Sequence, residues 1–226
     1  MSNTRTLSGR RVVITGGTSG LGLAFVREAR AAGAQVAFVA RRRDGVERVT
    51  RELPGVHGIV GDVSRKEDIH PIAIQLLGAL GGVDVLVNNA SSLGPVPLAP
   101  LADTACEDLE QALATNVLGP FRLTKALLGS LAASAREGGR PVVVNISSDA
   151  AINAYPNWGA YSASKAALHH LSRIWDDELT AEGIRVVSFD PGDMDTPLHA
   201  LAIPDADPAA LKRPEDAARE LAEVLR

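Results

Sequence analysis

Short apolar runs alternate with longer helical patterns along nearly the whole chain, and this alternation constrains the fold more than any other feature. Three of the runs are continuously apolar, namely Val12-Val13-Ile14, Val85-Leu86-Val87 and Val142-Val143-Val144. Runs of this kind are typical of parallel strands that helices cover on both faces. The sequence predicts six strands, at 11–15, 35–40, 56–60, 83–88, 141–147 and 184–190. It predicts helices at 21–32, 45–53, 66–80, 106–134, 158–182 and 214–226.

Prolines and glycines mark the places where these helices and loops should change direction. We expect Pro71 to end or bend the third helix, and Gly119-Pro120 to kink or break the fourth. After the last strand, three prolines and several acidic residues between 193 and 208 indicate a loop with room for one short helix. Long loops in compact domains often cover a binding site, so the segment at about 193–212 is predicted to be a substrate lid.

Length and charge exclude several classes of function. A chain of 226 residues is expected to form one α/β domain spanning 1–226. The net charge of −4 provides no positive field for nucleic acid. The single cysteine, Cys106, allows no internal disulfide and suits a reducing compartment. No stretch approaches the roughly 20 apolar residues that a membrane span requires, so we expect a cytoplasmic protein.

A glycine-rich loop follows the first predicted strand and leads directly into a helix. Its spacing is Gly-x-x-x-Gly-x-Gly, with Gly16, Gly20 and Gly22 at the glycine positions. Glycine allows the backbone to turn tightly, and the free N–H groups of a helix N-terminus attract phosphate. In this position the loop predicts a dinucleotide site, although ordinary tight turns use the same residues.

Tyr161 and Lys165 lie four residues apart on a predicted helix, with Ser148 thirteen positions upstream. The i, i+4 spacing places the phenol and the ammonium on one helix face, where the cation should lower the pKa of the phenol. Tyr161 could then act as a general acid or base while Ser148 holds a substrate oxygen. Ser147 competes with Ser148, and because adjacent residues of a strand face opposite sides only one of the two can point into the site. Tyr155 competes with Tyr161, but no lysine follows it by four residues.

With these two motifs together, the chain strongly resembles the short-chain dehydrogenase/reductase family. The resemblance runs from Arg11 to about Thr196 and includes Asn88-Asn89-Ala90, although the glycine that usually follows is Ser91 here. It implies a catalytic set of Asn116, Ser148, Tyr161 and Lys165. In the family the serine binds the carbonyl oxygen, the lysine binds the nicotinamide ribose and lowers the pKa of the phenol, and the asparagine holds a water. The cofactor-binding residues that it implies are Gly16, Thr18, Ser19, Gly20, Leu21, Gly22, Asp62, Val63, Asn89, Ala90, Ser91, Tyr161, Lys165, Pro191, Gly192, Met194 and Thr196.

The same resemblance implies a Rossmann-like, doubly wound parallel sheet of strand order 3-2-1-4-5-6 with helices on both faces. Relatives commonly continue into a seventh strand, but this sequence stops at Arg226, so we expect six. The seventh strand contributes to one interface of the family's tetramer. We therefore expect a homodimer through the helices that carry Asn116 and Tyr161.

The end of the second predicted strand indicates which cofactor is preferred. NAD-binding folds usually place an acidic residue there, to accept hydrogen bonds from the ribose 2′-hydroxyl. Here Ala40 occupies the position and Arg41-Arg42-Arg43 follows. Guanidinium groups can bind a 2′-phosphate, so Arg41 and Arg42 predict NADP(H), whereas Arg43 is read as a solvated residue.

The predicted function is NADP(H)-dependent interconversion of a carbonyl and an alcohol. The pocket residues expected near 91–97, 150–158 and 193–203 include no lysine or arginine, which favours a small neutral substrate. Two alternatives remain: a catalytically silent dinucleotide-binding sensor or scaffold protein, and an epimerase or dehydratase, which usually has a longer chain. The five histidines, His57, His70, His169, His170 and His199, are not expected to form a metal site. His199 in the lid and Trp158 before Tyr161 are candidates for substrate contact.

Overall fold

Six parallel strands form one sheet in the computed structural model, which describes residues 7–225. The sheet order is β3-β2-β1-β4-β5-β6, so the predicted fold class and strand order are confirmed. The strands are β1 (Arg11–Thr15), β2 (Gln35–Ala40), β3 (His57–Val60), β4 (Val85–Asn88), β5 (Val142–Ile146) and β6 (Arg185–Phe189).

Eight α-helices are found among the described residues, and the first three alternate with the first four strands. They are α1 (Gly20–Ala31), α2 (Arg43–Glu52), α3 (Lys66–Leu80), α4 (Cys106–Leu113), α5 (Gly119–Arg136), α6 (Gly159–Leu179), α7 (Pro197–Ala202) and α8 (Pro214–Val224). The predicted end of the last helix at position 226 lies outside the described residues. The short helix expected after the last strand is α7.

The two faces of the sheet bury separate hydrophobic clusters. On one face, side chains of α1, α2 and α8 pack on the strands, with Phe25 and Leu221 fully buried. On the other face α3 and α5 pack on the strands, with Leu76 and Leu123 fully buried. Because both faces are covered, the central strands can be apolar along their whole length, as the sequence indicated.

A partly buried ion pair ties the start of β1 to the residue that precedes β4. The guanidinium of Arg11 donates to Asp84 Oδ1 at 2.6 Å, and the Ser134 hydroxyl donates to the same oxygen at 2.6 Å. Burial raises the pKa of the Asp84 carboxyl, but these hydrogen bonds outweigh that effect and lower the pKa to about 2. Asp84 therefore stabilises the sheet at the amino ends of the strands, away from their carboxyl ends.

Pro71 does not end its helix, so the first of the two expected effects is wrong, and the expected bend stays a prediction. Helix α3 continues across Pro71 from Lys66 to Leu80. A proline lacks the N–H that would bond to the carbonyl four residues earlier, which belongs to Glu67. Glu67 is exposed in the first turn of the helix, where water can bind that carbonyl. The free-energy cost of a proline is therefore smaller here than in the buried middle of a helix.

The predicted helix at 106–134 is interrupted, as its Gly119-Pro120 pair indicated. A π-helical turn at Ala114–Leu118 separates α4 from α5, and Pro120 lies in the first turn of α5. At Gly119 an added Cβ would lie 3.0 Å from the backbone oxygen of Val63, so α5 approaches the loop after β3 more closely than a side chain would allow. Asn116 lies in the middle of this π turn, a local geometry often found at functional sites.

Within residues 7–225, no helix combines the length and the apolar character that crossing a bilayer would require.

Candidate active site

A cavity of about 920 Å³ opens at the carboxyl ends of the strands, where the loops after all six of them meet. Ligands in open α/β sheets bind at this edge. Of the predicted site residues, only Gly22 and Asn116 do not line the cavity. Those that line it are Gly16, Thr18, Ser19, Gly20, Leu21, Arg41, Arg42, Asp62, Val63, Asn89, Ala90, Ser91, Ser148, Tyr161, Lys165, Pro191, Gly192, Met194 and Thr196.

The glycine loop has the geometry of an anion site. Gly16 has φ 72° and Gly20 has φ 51°, a region that favours glycine. An alanine at Gly22 would place its Cβ 2.3 Å from the backbone oxygen of Gly16, which explains the role of Gly22 behind the cavity wall. Helix α1 begins with no side-chain cap and no acidic residue in its first turn. Its free N–H groups and the positive end of its dipole therefore face the cavity, and no carboxylate in this first turn neutralises them.

Polar contacts from β4 and α2 hold this loop in place. The side-chain amide of Asn89 donates to the Thr15 carbonyl at 2.8 Å, and the Thr15 hydroxyl accepts from the backbone N–H groups of Asn89 and Ala90, each at 3.0 Å. On the other side, the Arg48 guanidinium donates to the Thr18 carbonyl at 2.9 Å. Sequence reasoning found Asn89 through the family motif but missed Thr15 and Arg48, because nothing local links them to the loop.

Two exposed arginines follow β2 at the opposite end of the cavity from the catalytic candidates. Arg41 and Arg42 line the cavity, whereas Arg43 begins α2 and does not. Ala40 precedes them, only 8% exposed, and its methyl group offers no hydrogen-bond acceptor. None of the ion pairs found among residues 7–225 involves Arg41 or Arg42. Both guanidinium groups are thus available to an anion.

Asp62 and Val63, which the family resemblance predicts to bind the cofactor, line the cavity after β3. The Asp62 carboxylate accepts from the backbone N–H of Ser64 at 2.9 Å and from its hydroxyl at 2.8 Å. Its own N–H donates to Asp68 at 2.9 Å. Asp62 therefore shapes the turn after β3 as well as lining the cavity.

Ser148, Tyr161 and Lys165 meet on the floor of the cavity, as the sequence predicted. Ser148 follows β5, and its hydroxyl lies close enough to the phenol of Tyr161 to lower the pKa of that phenol. Tyr161 is 7% exposed and Lys165 is 2% exposed, and the Lys165 ammonium lies 5.5 Å from the centre of the Tyr161 ring. The ammonium donates to the carbonyl of Ile146 at 2.7 Å. Ser147, the competing serine, also lines the cavity, but it is buried and donates its backbone N–H to the Phe189 carbonyl at 2.7 Å.

The predicted lowering of the phenol pKa by Lys165 is wrong for this structure. Burial raises the pKa of Tyr161 to about 12, and the carboxylates of Asp190 and Asp149 add to the increase. Burial also lowers the pKa of Lys165 to about 8. The nearby hydroxyls of Ser148 and Ser91 only partly oppose this increase in the pKa of Tyr161. The phenol is therefore protonated at neutral pH in the structure described.

Asn116 does not reach the cavity because its side chain is fully used in holding two elements together. Its amide nitrogen donates to the Ser92 carbonyl and to the Ser164 hydroxyl, both at 2.8 Å. Its amide oxygen accepts from the Ser92 N–H at 2.8 Å. Ser164 in turn donates to the backbone carbonyl of Tyr161 at 2.7 Å. Asn116 thus connects the loop after β4 to the turn of α6 that carries Tyr161, and its role as a water ligand remains a prediction.

The segment after β6 lies along the open side of the cavity. Gly192 has φ 73°, and its N–H donates to the Asp190 carboxylate at 2.9 Å. Met194 forms an isolated parallel bridge with Lys212, which joins the two ends of the 193–212 segment. Thr196 caps α7 by accepting the N–H of His199 at 3.2 Å.

Three further side chains named from the sequence also line the cavity. His199 is 11% exposed at its side chain, with Nε2 4.0 Å from the carboxylate of Asp193. Trp158 meets Tyr161 edge to face with ring centres 5.7 Å apart. The Tyr155 hydroxyl donates to Asp149 at 2.6 Å. Asp149 was missed, although its position directly after Ser148 could have identified it.

No group of three or more potential metal-ligating side chains comes together in the part of the chain that the structure describes.

Comparisons with known proteins agree with this geometry. The family model described as short chain dehydrogenase matches residues 10–206. L-fucose dehydrogenase of Mus musculus is 33% identical over 204 residues, which cover 90% of this chain and 72% of the relative. Glucose 1-dehydrogenase of Gluconobacter oxydans is 32% identical over 230 residues, covering 96% of this chain and 84% of the relative.

Among solved structures, 3-ketoacyl-(acyl-carrier-protein) reductase from Brucella melitensis complexed with NADH superposes with a TM-score of 0.91 at 29% identity. The match covers 97% of this chain and 92% of that one. Fold, motifs and matches agree over most of the chain. The protein belongs to the short-chain dehydrogenase/reductase family of oxidoreductases.

Proposed function

We propose that this protein is an NADP(H)-dependent oxidoreductase that interconverts a carbonyl and an alcohol on a small neutral substrate. The observation that carries the proposal is the meeting of Ser148, Tyr161 and Lys165 on the floor of a cavity that also contains the glycine loop. A proton donor and an anion-binding helix N-terminus in one cavity suit a reaction in which a dinucleotide and a carbonyl lie side by side.

The described residues fit a dinucleotide. The N-terminus of α1 and the positive-φ glycines can hold the pyrophosphate, and Asp62 and Val63 lie where an adenine would be expected. Arg41 and Arg42, which are exposed, favour the 2′-phosphate of NADP. Lys165 would hold the nicotinamide ribose, and the 191–196 segment would lie beside the nicotinamide ring. When bound, NADPH supplies the hydride that adds to the carbonyl carbon.

The chain's own residues handle the proton and the developing charge. Ser148 donates a hydrogen bond to the carbonyl oxygen, and Tyr161 transfers its proton to the same oxygen as the negative charge develops. A phenol with a raised pKa holds this proton securely until then. The Lys165 ammonium, still mostly protonated at neutral pH with a pKa of about 8, stabilises the phenolate that remains. Asn116 keeps the turn of α6 that carries Tyr161 in position.

The charge of the cavity supports a neutral substrate. Near Ser148 and α7 the cavity is lined by the carboxylates of Asp149, Asp190 and Asp193. The arginines lie at the other end, and Lys165 is buried. An anionic substrate would meet this acidic wall unpaired. The two relatives named above are sugar dehydrogenases, and L-fucose and glucose are uncharged.

The test is an NADPH-oxidation screen against a panel of neutral aldehydes and ketones. Replacing Tyr161 by phenylalanine should lower kcat/KM by roughly 10²- to 10⁴-fold with NADPH binding retained, because only the transferable proton is lost. Ser148→Ala should also lose activity, whereas the matched variant Ser147→Ala should retain it. Cofactor binding without turnover of any compound would reject the proposal in favour of a silent dinucleotide-binding sensor or scaffold. No feature of the site supports that alternative.

We also propose a homodimer through α5 and α6. Leu118 and Ile174 are 41% and 39% exposed near these helices, and Phe121 stacks on Trp175 with ring centres 5.2 Å apart. Exposed apolar side chains next to an aromatic pair suit a helix–helix interface. Light scattering should give twice the monomer mass at micromolar concentration; a monomeric mass would refute the dimer.

A further inference from the structure

A carboxylate lies directly beside the hydroxyl that binds the reacting oxygen. Asp149 Oδ1 accepts the proton of the Ser148 hydroxyl at 3.1 Å, and Asp149 Oδ2 accepts the proton of the Tyr155 hydroxyl at 2.6 Å. The Ser148 oxygen also accepts the N–H of Ala150 at 3.2 Å. Both carboxylate oxygens are therefore fixed at the substrate end of the cavity, one of them in contact with Ser148.

This contact poses a problem for the proposed reaction. A serine hydroxyl has one proton to donate, and here that proton is directed to Asp149 rather than to a substrate. The hydrogen bond from Tyr155 lowers the pKa of Asp149, so the carboxylate is ionised at neutral pH. An ionised acceptor binds a proton donor about twice as strongly as a neutral carbonyl does. A simple ketone would therefore compete poorly with Asp149 for the Ser148 proton.

A substrate with a second hydroxyl removes this competition. The two oxygens of a gauche vicinal diol, or of an α-hydroxy ketone, lie about 3 Å apart, close to a hydrogen-bonded O–H···O separation. The separation between Ser148 Oγ and Asp149 Oδ1, 3.1 Å, is similar. When the reacting oxygen binds Ser148, a hydroxyl on the adjacent carbon is within reach of Asp149. That hydroxyl can donate to the carboxylate in place of Ser148, which then donates to the reacting oxygen.

Resting on the function proposed above, we infer that Asp149 selects substrates that carry a hydroxyl on the carbon next to the reacting one, namely vicinal diols and their α-hydroxy ketones. Tyr155 is the positioning residue, because it holds the second oxygen of the carboxylate. The wall formed by Asp190 and Asp193 fits such substrates, since hydroxyl groups can donate to carboxylates whereas anionic groups are repelled.

The experiment compares three alcohols of one ring size with NADP⁺ and with NAD⁺: cyclohexane-1,2-diol, cyclohexane-1,4-diol and cyclohexanol. The 1,4-diol controls for polarity and for the number of hydroxyls. The wild-type protein should favour the 1,2-diol over both other alcohols by roughly tenfold to a hundredfold in kcat/KM. A charge-assisted hydrogen bond at a water-exposed site changes binding by a factor of about that size. In Asp149→Ala and Asp149→Asn the preference should fall to about threefold or less.

Tyr155→Phe supplies a readout that distinguishes positioning from folding. It should raise KM for the 1,2-diol severalfold with a smaller change in kcat, because the carboxylate remains but is less well fixed. Asp177→Asn, an exposed position of α6 that does not line the cavity, is the matched control and should keep the wild-type preference. Equal rates for the three alcohols, or an undiminished preference in both Asp149 variants, would overturn the inference.

Failure of the proposed function has a different signature. Equal turnover of all three alcohols leaves the oxidoreductase intact and rejects only the role of Asp149. Absence of turnover for all three, and for their ketones, counts against the proposed function. In that case the role of Asp149 is tested by the shift in melting temperature that each alcohol causes in the NADP⁺-loaded protein. A larger shift with the 1,2-diol than with the 1,4-diol, lost in Asp149→Ala, supports it, and equal shifts reject it.

Discussion

Replacing Arg41 and Arg42 by alanine should change the cofactor preference without removing activity. Both side chains are exposed, line the cavity and make no ion pair within residues 7–225. A hydrogen bond between charged groups contributes about 1.5 kcal/mol at the lower end of its range, which applies to an exposed site. Each arginine should therefore contribute about tenfold, and the double variant should lose about a hundredfold in kcat/KM for NADPH.

The assay measures kcat/KM for NADPH and NADH with one carbonyl substrate. The loss should appear mainly in KM for NADPH, because the 2′-phosphate is remote from the reacting carbon, and NADH kinetics should change little. Raising the salt concentration should reduce the wild-type preference, since screening shortens the reach of exposed charges to about 8 Å at physiological ionic strength. Arg43→Ala is the matched control, because Arg43 does not line the cavity. Equal NADPH and NADH efficiencies in the wild-type protein, or equal losses in the Arg43 variant, would refute the reasoning.

Three further predictions concern stability and ionisation. Asp84→Asn should lower the free energy of unfolding by about 2 kcal/mol at pH 7, because the folded-state pKa of about 2 lies below the ordinary 3.8. The stabilisation is present above pH 3.8 and lost as the pH falls toward 2, so denaturant curves of wild type and variant should converge there; a constant difference would contradict it. Ultraviolet difference spectroscopy of the cofactor-free protein should show no phenolate below about pH 10, since burial raises the pKa of Tyr161 and the Asp149 contact raises that of Tyr155. A phenolate forming near neutral pH and absent from Tyr161→Phe would disprove this. Gly22→Ala should weaken NADPH binding at least about tenfold and lower the melting temperature, because the added Cβ would collide with the glycine loop. The control variant Gly78→Ala, at a helical position where the added Cβ meets no atom within 4 Å, should leave stability unchanged or raise it. Equal effects of the two alanines would show that the loop can relax.

The strands and the glycine loop could be predicted because their signals are local. A continuously apolar run such as Val142-Val143-Val144 indicates a strand covered on both faces wherever it occurs. Glycines after a first strand and before a helix indicate an anion site in the same way. The positions of Ser148, Tyr161 and Lys165 followed from their spacing together with the family resemblance, and the structure places them together at one cavity.

The hydrogen-bond partners within the site could not be predicted in this way. Asn116 is bound to Ser92 and Ser164, which lie 24 and 48 residues away along the chain. Arg48 reaches Thr18 across 30 residues. Such pairs depend on how the helices pack against the sheet, and no local pattern specifies them.

The sequence by itself determined the order of elements, the glycine loop, the arginines after the second strand and the tyrosine that we propose as the proton donor. The tertiary structure decided the ionisation of that donor. A lysine four residues along a helix predicts an acidified phenol, yet packing of Leu93, Ala150 and Leu198 around Tyr161 buries it and raises its pKa instead. Periodicity and spacing are properties of neighbouring residues, whereas the loss of water around a charge depends on segments that meet only when the chain has folded.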